Sequence, residues 1–398
     1  MVNRKEYLEQ IKSVREWQTI KVVTGVRRCG KSTLFALYID YLKSTGIADN
    51  QIVSINLEGS DYASLLEYNA LYDYINARLC KDKYTYIFID EVQNCVGFER
   101  AINSLFVKPN VDIYITGSNA YMLSGELATL LSGRYITISM LPLSFKEYCE
   151  AVPDDNSVQQ SFNEYLRFGS FPYAAFLPRT DSAVMLYLDG IYNTILVKDI
   201  AKREDIGDIA VLESIAKFLA DNIGSPVSAK KITDTINSAG RKISINTVDR
   251  YLSALTNSYI FYKVDRYDIK GRQHLKTLNK YYLVDSGIRS LLLSKSTADI
   301  GHIIENIVYL ELLRRGYRVN IGKVADKEVD FIATNMSETV YFQVSASVLD
   351  STTLARELEP LQKISDNHPK FLLTLDEIGA GANHNGIRQI NLLSWLLS

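Results

Sequence analysis

Cysteine is scarce in this chain of 398 residues: only Cys29, Cys80, Cys95 and Cys149 occur, none in a Cys-x-x-Cys pair. That spacing argues against a disulfide framework or a zinc scaffold. An excess of either charge is also missing. Lys and Arg number 44 against 46 Asp and Glu, a formal net charge of -2, so the chain as a whole is not a polycation built to coat nucleic acid. No apolar run approaches the roughly 20 residues that a membrane helix needs, and no apolar segment follows Met1. Neither membrane insertion nor a signal peptide is expected, and the expected compartment is the cytoplasm. What is present in quantity is hydrophobic sequence, 47% of the chain, enough for a large core divided among two or three domains.

The most informative stretch is Gly25-Val26-Arg27-Arg28-Cys29-Gly30-Lys31-Ser32. It follows the apolar run Ile20–Val23 and precedes Thr33–Tyr41, which reads as a helix. A G-x-x-x-x-G-K-S loop between strand and helix is a phosphate cradle. Its backbone N–H groups and the helix N-terminus, from Lys31 to Thr33, favour anionic oxygens. Lys31 is expected to reach the β- and γ-phosphates, and the Ser32 hydroxyl to ligate Mg²⁺. Arg27 and Arg28 either touch phosphate or are solvated.

Tyr84-Thr85-Tyr86-Ile87-Phe88-Ile89-Asp90-Glu91 is a buried-strand pattern ending in two acids. In an open parallel sheet, ligands gather at the carboxyl ends of strands. Asp90 is then placed to hold Mg²⁺, and Glu91 to act as general base toward water. The alternative is a plain acidic cap. A third apolar strand, Val111–Thr116, ends in Gly117-Ser118-Asn119, where Asn119 or Ser118 would orient water or sense the terminal phosphate. Ile52–Leu57 and Tyr135–Met140 supply two more strands. Helices are expected over Ala63–Leu79, Phe98–Phe106 and Gly125–Leu131, giving a doubly wound parallel sheet. Arg134, just before the last strand, is suited to stabilising charge on a transferred phosphoryl group, from a neighbouring subunit if the chain forms a homo-oligomer. Binding a carboxylate is its competing role.

Taken in order, Thr24-Gly25 through Ser32, Phe88-Ile89-Asp90-Glu91-Val92-Gln93, Thr116-Gly117-Ser118, Leu131 to Arg134, and Leu141-Pro142-Leu143-Ser144-Phe145-Lys146-Glu147-Tyr148 resemble the bacterial and archaeal AAA-type P-loop ATPases that pair an AAA core with a C-terminal domain of unknown function. The resemblance implies ATP and Mg²⁺ as ligands and ATP hydrolysis as the activity, with Lys31, Ser32, Asp90 and Glu91 at their usual posts and Asn119 near a sensor position.

The expected organisation is an α/β P-loop core over 1–150, a helical lid over 151–220, a winged-helix module over 221–290 and a degenerate restriction-endonuclease-like α/β domain over 291–398. The third segment holds 12 Lys or Arg against six Asp or Glu, an asymmetry that suits a phosphate backbone. Two partner classes stay open there, DNA and protein. In DNA binding, Asn246, Thr247, Asp249 and Arg250 would face a groove while Lys270, Arg272 and Lys276 ride the backbone. In the last segment, Glu305, Asp330, Gln343 and Ser345 fall where a nuclease of that fold carries its acids and lysine. Gln343 is a poor hard-cation ligand and Ser345 lacks the cation, so the expectation is a retained binding surface or scaffold rather than cleavage. A scaffold gated by ATP, with little turnover, is the alternative for the whole chain.

Overall fold

The computed structural model describes residues 2–118, 131, 133–152, 157–271, 273–293 and 300–398. Asn119, Arg272, the Pro153–Asn156 turn and all but the last residue of the helix expected over Gly125–Leu131 lie outside the described residues. The chain divides into two compact units. The first holds residues up to Pro142 together with Asn257–Tyr259, and the second holds Leu143–Thr256 and Ile260–Ser398.

The first unit is a parallel sheet of β1 (Ile20–Thr24), β2 (Ile52–Asn56), β3 (Thr85–Asp90), β4 (Val111–Gly117) and β5 (Tyr135–Ser139), in the order β2-β3-β4-β1-β5. Every neighbouring pair is parallel. β1 and β3 are buried along their whole length, which is why both read as mainly apolar rather than alternating, Lys21 being the one charge within β1. Around the sheet lie helices α1 (Lys5–Ser13), α2 (Lys31–Ser44), α3 (Tyr68–Asn76) and α4 (Phe98–Phe106). Of these, α4 buries Phe98, Ala101, Ile102 and Leu105, the i, i+3, i+4, i+7 stripe of a surface helix. One core joins Ile20, Val22, Ile87, Ile89, Ile113 and Ile115 to Ile102 and Leu105. At the amino ends of the strands, the Lys21 ammonium meets Asp112 at 2.5 Å with both side chains fully buried. The Tyr114 hydroxyl donates to the same carboxylate at 2.7 Å, so β1 and β4 are tied by charge as well as by ladder bonds.

The strand order decides where chemistry can occur. β4 lies between β1 and β3, with Val23 opposite Thr116 and Ile89 opposite Ile115. Its polar tip is therefore flanked by the loop after β1 on one side and the Asp90–Glu91 pair on the other.

The second unit combines helices with a nine-stranded sheet. Its strands are β6 (Pro226–Val227), β7 (Phe261–Asp268), β8 (Gln273–Leu283), β9 (Arg318–Val324), β10 (Lys327–Thr334), β11 (Thr339–Ser345), β12 (Lys370–Thr374), β13 (Asn383–His384) and β14 (Ile387–Asn391). β7 and β8 form an antiparallel hairpin, and β7 also pairs in parallel with β9. Strands on either side of position 290 thus share one sheet. The helix over Asp181–Thr194 runs on as a π-helix over Ile195–Ala201. Helices Ala229–Ser238 and Ile245–Asn257 precede the hairpin, the first capped by the Ser228 side chain. Among the described residues, no helix is long and apolar enough to cross a membrane.

Candidate functional site

Gly25 and Gly30 shape the loop after β1. A Cβ on Gly25 would stand 2.1 Å from the Met140 carbonyl oxygen, and both glycines have positive φ, +150° and +109°. Only glycine allows this close stacking and these torsions. Gly30 then caps α2, whose first N–H groups have no partner within the helix, the arrangement that favours an anion at a helix N-terminus. Val26 and Cys29 are fully buried. Burial pushes the Cys29 thiol up, against the pull of Lys31 and Arg4, which disfavours the reactive thiolate. Arg27 pairs with Glu58 at 2.9 Å, and Arg28, at φ +67°, is exposed.

Lys31 is 4% exposed and rests on the loop itself. Its ammonium donates to the Gly25 carbonyl at 3.1 Å and to the Val26 carbonyl at 3.3 Å, and it stands 3.6 Å from Glu91 Oε1. Residues 60 positions apart in the chain thus meet at one point. The Thr116 hydroxyl organises the acids. It donates to Asp90 Oδ1 and accepts from the Glu91 N–H at 2.9 Å. The nearby Ser32 hydroxyl also favours the ionised Asp90 carboxyl. Glu91 adopts a left-handed backbone, φ +52°, a conformation costly for a residue with a Cβ and concentrated at functional sites. Gln93 donates to Glu91 Oε2 and, at 3.4 Å, to Ser118. The Gln93 side-chain oxygen is buried with no partner among the described residues.

The two acids differ electrostatically. Burial raises the pKa of Asp90 against the opposing pull of the Ser32 and Thr116 hydroxyls. Burial also works on Glu91, but Lys31, Gln93, Arg27 and Ser118 together outweigh it and hold that carboxyl below the usual carboxylate range. Asp90 and the Ser32 hydroxyl are hard oxygen donors, the kind that magnesium accepts alongside phosphate oxygens and water. Among the described residues, no three His, Cys, Asp or Glu side chains converge as a metal cage.

Arg134 is not part of this cluster. Because Ile20 pairs with Tyr135 in parallel, the residue before β5 lies at the amino edge of the sheet, whereas the loop follows the carboxyl end of β1. Its side chain is exposed and covers the Phe106 ring, 5.5 Å from its centroid. Sequence reasoning passed over Thr116 and Gln93. The signal was present: a hydroxyl at the tip of an apolar strand, and an amide two residues beyond a paired acid.

The second unit gathers a different set. Glu305 Oε1 accepts from Lys280 Nζ at 3.0 Å and from the Tyr282 hydroxyl at 2.6 Å. Lys280 also meets Glu328 at 2.7 Å. Burial opposes its charge, but Glu305, Glu328 and Asp330 raise its pKa instead. Asp330 Oδ2 accepts from the Val344 N–H at 2.8 Å, and Gln343 donates to Glu357 at 2.9 Å. Ser345 donates to the Ser347 carbonyl at 3.2 Å. Lys280 of β8 is thus the cation that these acids face, with Glu305 and Glu328 in direct ion pairs with it.

Residues 18–149 match the family model described as an AAA domain, and residues 159–299 match one described as a domain of unknown function, DUF8612. A Haemophilus influenzae protein, described as an uncharacterized protein, is 40% identical over 401 residues, covering 100% of this chain and 99% of its own. The uncharacterized protein MJ1544 of Methanocaldococcus jannaschii is 28% identical over 366 residues, covering 86% of this chain and 78% of its own. Among solved structures, the Walker-type ATPase PABY2304 of Pyrococcus abyssi matches with a TM-score of 0.53 at 14% identity, over 73% of this chain and 96% of that one. This last likeness is one of fold.

Proposed function

We propose, for a chain that belongs to one family with the Haemophilus influenzae protein and carries an AAA-type domain over residues 18–149, that it binds ATP with Mg²⁺ and hydrolyses it to ADP and phosphate to drive a conformational switch acting on a macromolecular partner. The observation that carries this reading is the meeting of Lys31, Asp90, Glu91 and Thr116 at the carboxyl edge of one parallel sheet. When ATP arrives, the Lys31 ammonium exchanges its loop carbonyls for phosphate oxygens. Ser32 and Asp90 would hold Mg²⁺, which neutralises charge building on the phosphates. Glu91, kept ionised, takes a proton from the attacking water. The unpartnered Gln93 oxygen offers that water a second acceptor. The water oxygen bonds to the γ-phosphorus, the bridging P–O bond breaks, and its electrons leave with ADP. Arg134 would serve only a neighbouring subunit's site, in a homo-oligomer.

Phosphate release by wild type, Lys31→Ala and Glu91→Gln tests the reading. Glu91→Gln should retain ATP binding and lose about 100-fold or more in rate; equal rates in all three proteins overturn it.

A second reading concerns the partner. Residues 229–238 and 245–257 followed by the β7–β8 hairpin have the order of a winged helix, and Lys230, Lys231, Asn246, Asp249, Arg250 and Lys270 are exposed. DNA is the partner that this surface favours. Absence of DNA affinity at low salt would leave a protein partner.

A further inference from the structure

The back of the phosphate loop is held by a side chain from the start of the chain. Arg4 precedes α1 and is 1% exposed. Its Nη1 donates to the Cys29 carbonyl at 2.8 Å, and its Nη2 to the Leu141 carbonyl at 2.7 Å and the Pro142 carbonyl at 3.4 Å. The guanidinium also lies over the Tyr7 ring, 4.9 Å from its centroid, while the Tyr7 hydroxyl accepts from the Leu141 N–H at 3.1 Å. One fork of donors thus spans the loop and the chain leaving β5.

The Cys29 carbonyl and the Gly30 N–H belong to one peptide unit. Peptides are planar, and in the trans form these two groups point in opposite directions. Fixing the carbonyl on one side of the loop fixes the N–H on the other. Cys29 is wholly buried, so without Arg4 its carbonyl would be a buried acceptor free to rotate toward another donor. Gly30, at φ +109°, has no side chain to resist that rotation. The restraint has to come from outside the loop.

We propose that Arg4 is a positioning residue for nucleotide binding: by pinning the Cys29 carbonyl, it aims the Gly30 N–H into the phosphate cradle. The proposal rests on the phosphate-loop reading above. An N–H that holds phosphate equally before and during reaction contributes to KM and not to kcat. A residue that only supports folding would do the reverse, lowering the active fraction and so the apparent kcat.

The experiment is steady-state ATP hydrolysis by Arg4→Gln, Arg4→Lys and Lys31→Ala, with ADP affinity measured by calorimetry on the same full-length proteins. Arg4→Gln should raise KM for ATP and weaken ADP binding about tenfold or more, with kcat near wild type. Arg4→Lys keeps a charged donor but not the fork, and should fall between the two. If Arg4→Gln does not fold, Arg4→Lys decides alone. Wild-type KM and ADP affinity in the Arg4 variants, with binding lost in Lys31→Ala, overturns the role of Arg4. Wild-type affinity in Lys31→Ala overturns the phosphate-loop reading itself.

Discussion

Asp90 and Glu91 are chain neighbours, each 7% exposed, yet burial wins at the first and charge at the second. The difference lies in what each faces. Asp90 receives neutral hydroxyls, whereas Glu91 faces the Lys31 ammonium and, farther off, Arg27. An acid whose folded pKa is raised destabilises the fold above its unfolded value and sheds that penalty as pH falls through the folded one. Asp90→Asn should therefore raise the melting temperature of nucleotide-free protein at neutral pH, by a margin that shrinks toward acid, while cutting Mg²⁺-dependent turnover about 100-fold. A lower melting temperature at neutral pH would count against this account. Glu91 has the opposite sign: its contribution is present above the unfolded value and is lost as pH falls through the lowered folded one. At this scale the sequence was legible wherever the chemistry is local. Gly25 to Ser32 are eight consecutive residues whose backbone makes the cradle. Thr116 on Asp90 joins positions 26 apart, and Arg4 on Leu141 joins positions 137 apart, contacts that no spacing rule reveals.

Among elements, β1, β3 and most of β4 are buried on both faces and were readable as mainly apolar segments, while β2 and β5, partly exposed, were readable from their β-branched residues. The helix expected over Ala63–Leu79 was not one helix. A 3-10 turn at Ser60–Leu65 is separated from α3 by extended backbone at Glu67. There the chain pairs with Val96, whose N–H donates to the Leu66 carbonyl at 2.8 Å while the Tyr68 N–H donates to the Val96 carbonyl at 3.1 Å. A bridge to a segment nearly 30 residues away overrode local propensity. The β14 strand was missed because Arg388, Gln389 and Asn391 leave it only two apolar residues. β8 carries an element-scale prediction, since Lys280 ties it to Glu305 and to Glu328 on β10. Removing one partner of a buried ion pair leaves charge unpaired, so Lys280→Ala should cost about 3–5 kcal/mol in urea unfolding. An ion pair between Lys280 and Glu305 predicts a smaller loss for the double variant Lys280→Met, Glu305→Gln; equal losses would dismiss the pair as the cause.

For the whole molecule, near-zero net charge hides local asymmetry. Of the basic residues in 221–290, Lys280 and Arg289 are buried and serve the fold, with Arg289 Nε donating to the Ala220 carbonyl at 3.0 Å. Lys230, Lys231, Arg241, Lys242, Arg250, Lys263 and Lys270 remain exposed. If four to six of these neutralise phosphates, the logarithm of DNA affinity should fall with the logarithm of salt at a slope of about −4 to −5. A fluorescence titration at three salt concentrations reads that slope, and a flat response would remove DNA as the partner.

The pairing of β7 with β9 also has a practical side. Hydrogen bonds cross position 290 in the plane of a shared sheet, so the hairpin and the tail behave as a single plank. Splicing another protein's tail onto this chain at that point would saw through the plank and expose raw strand edges, whereas a graft after Pro142 would leave it whole.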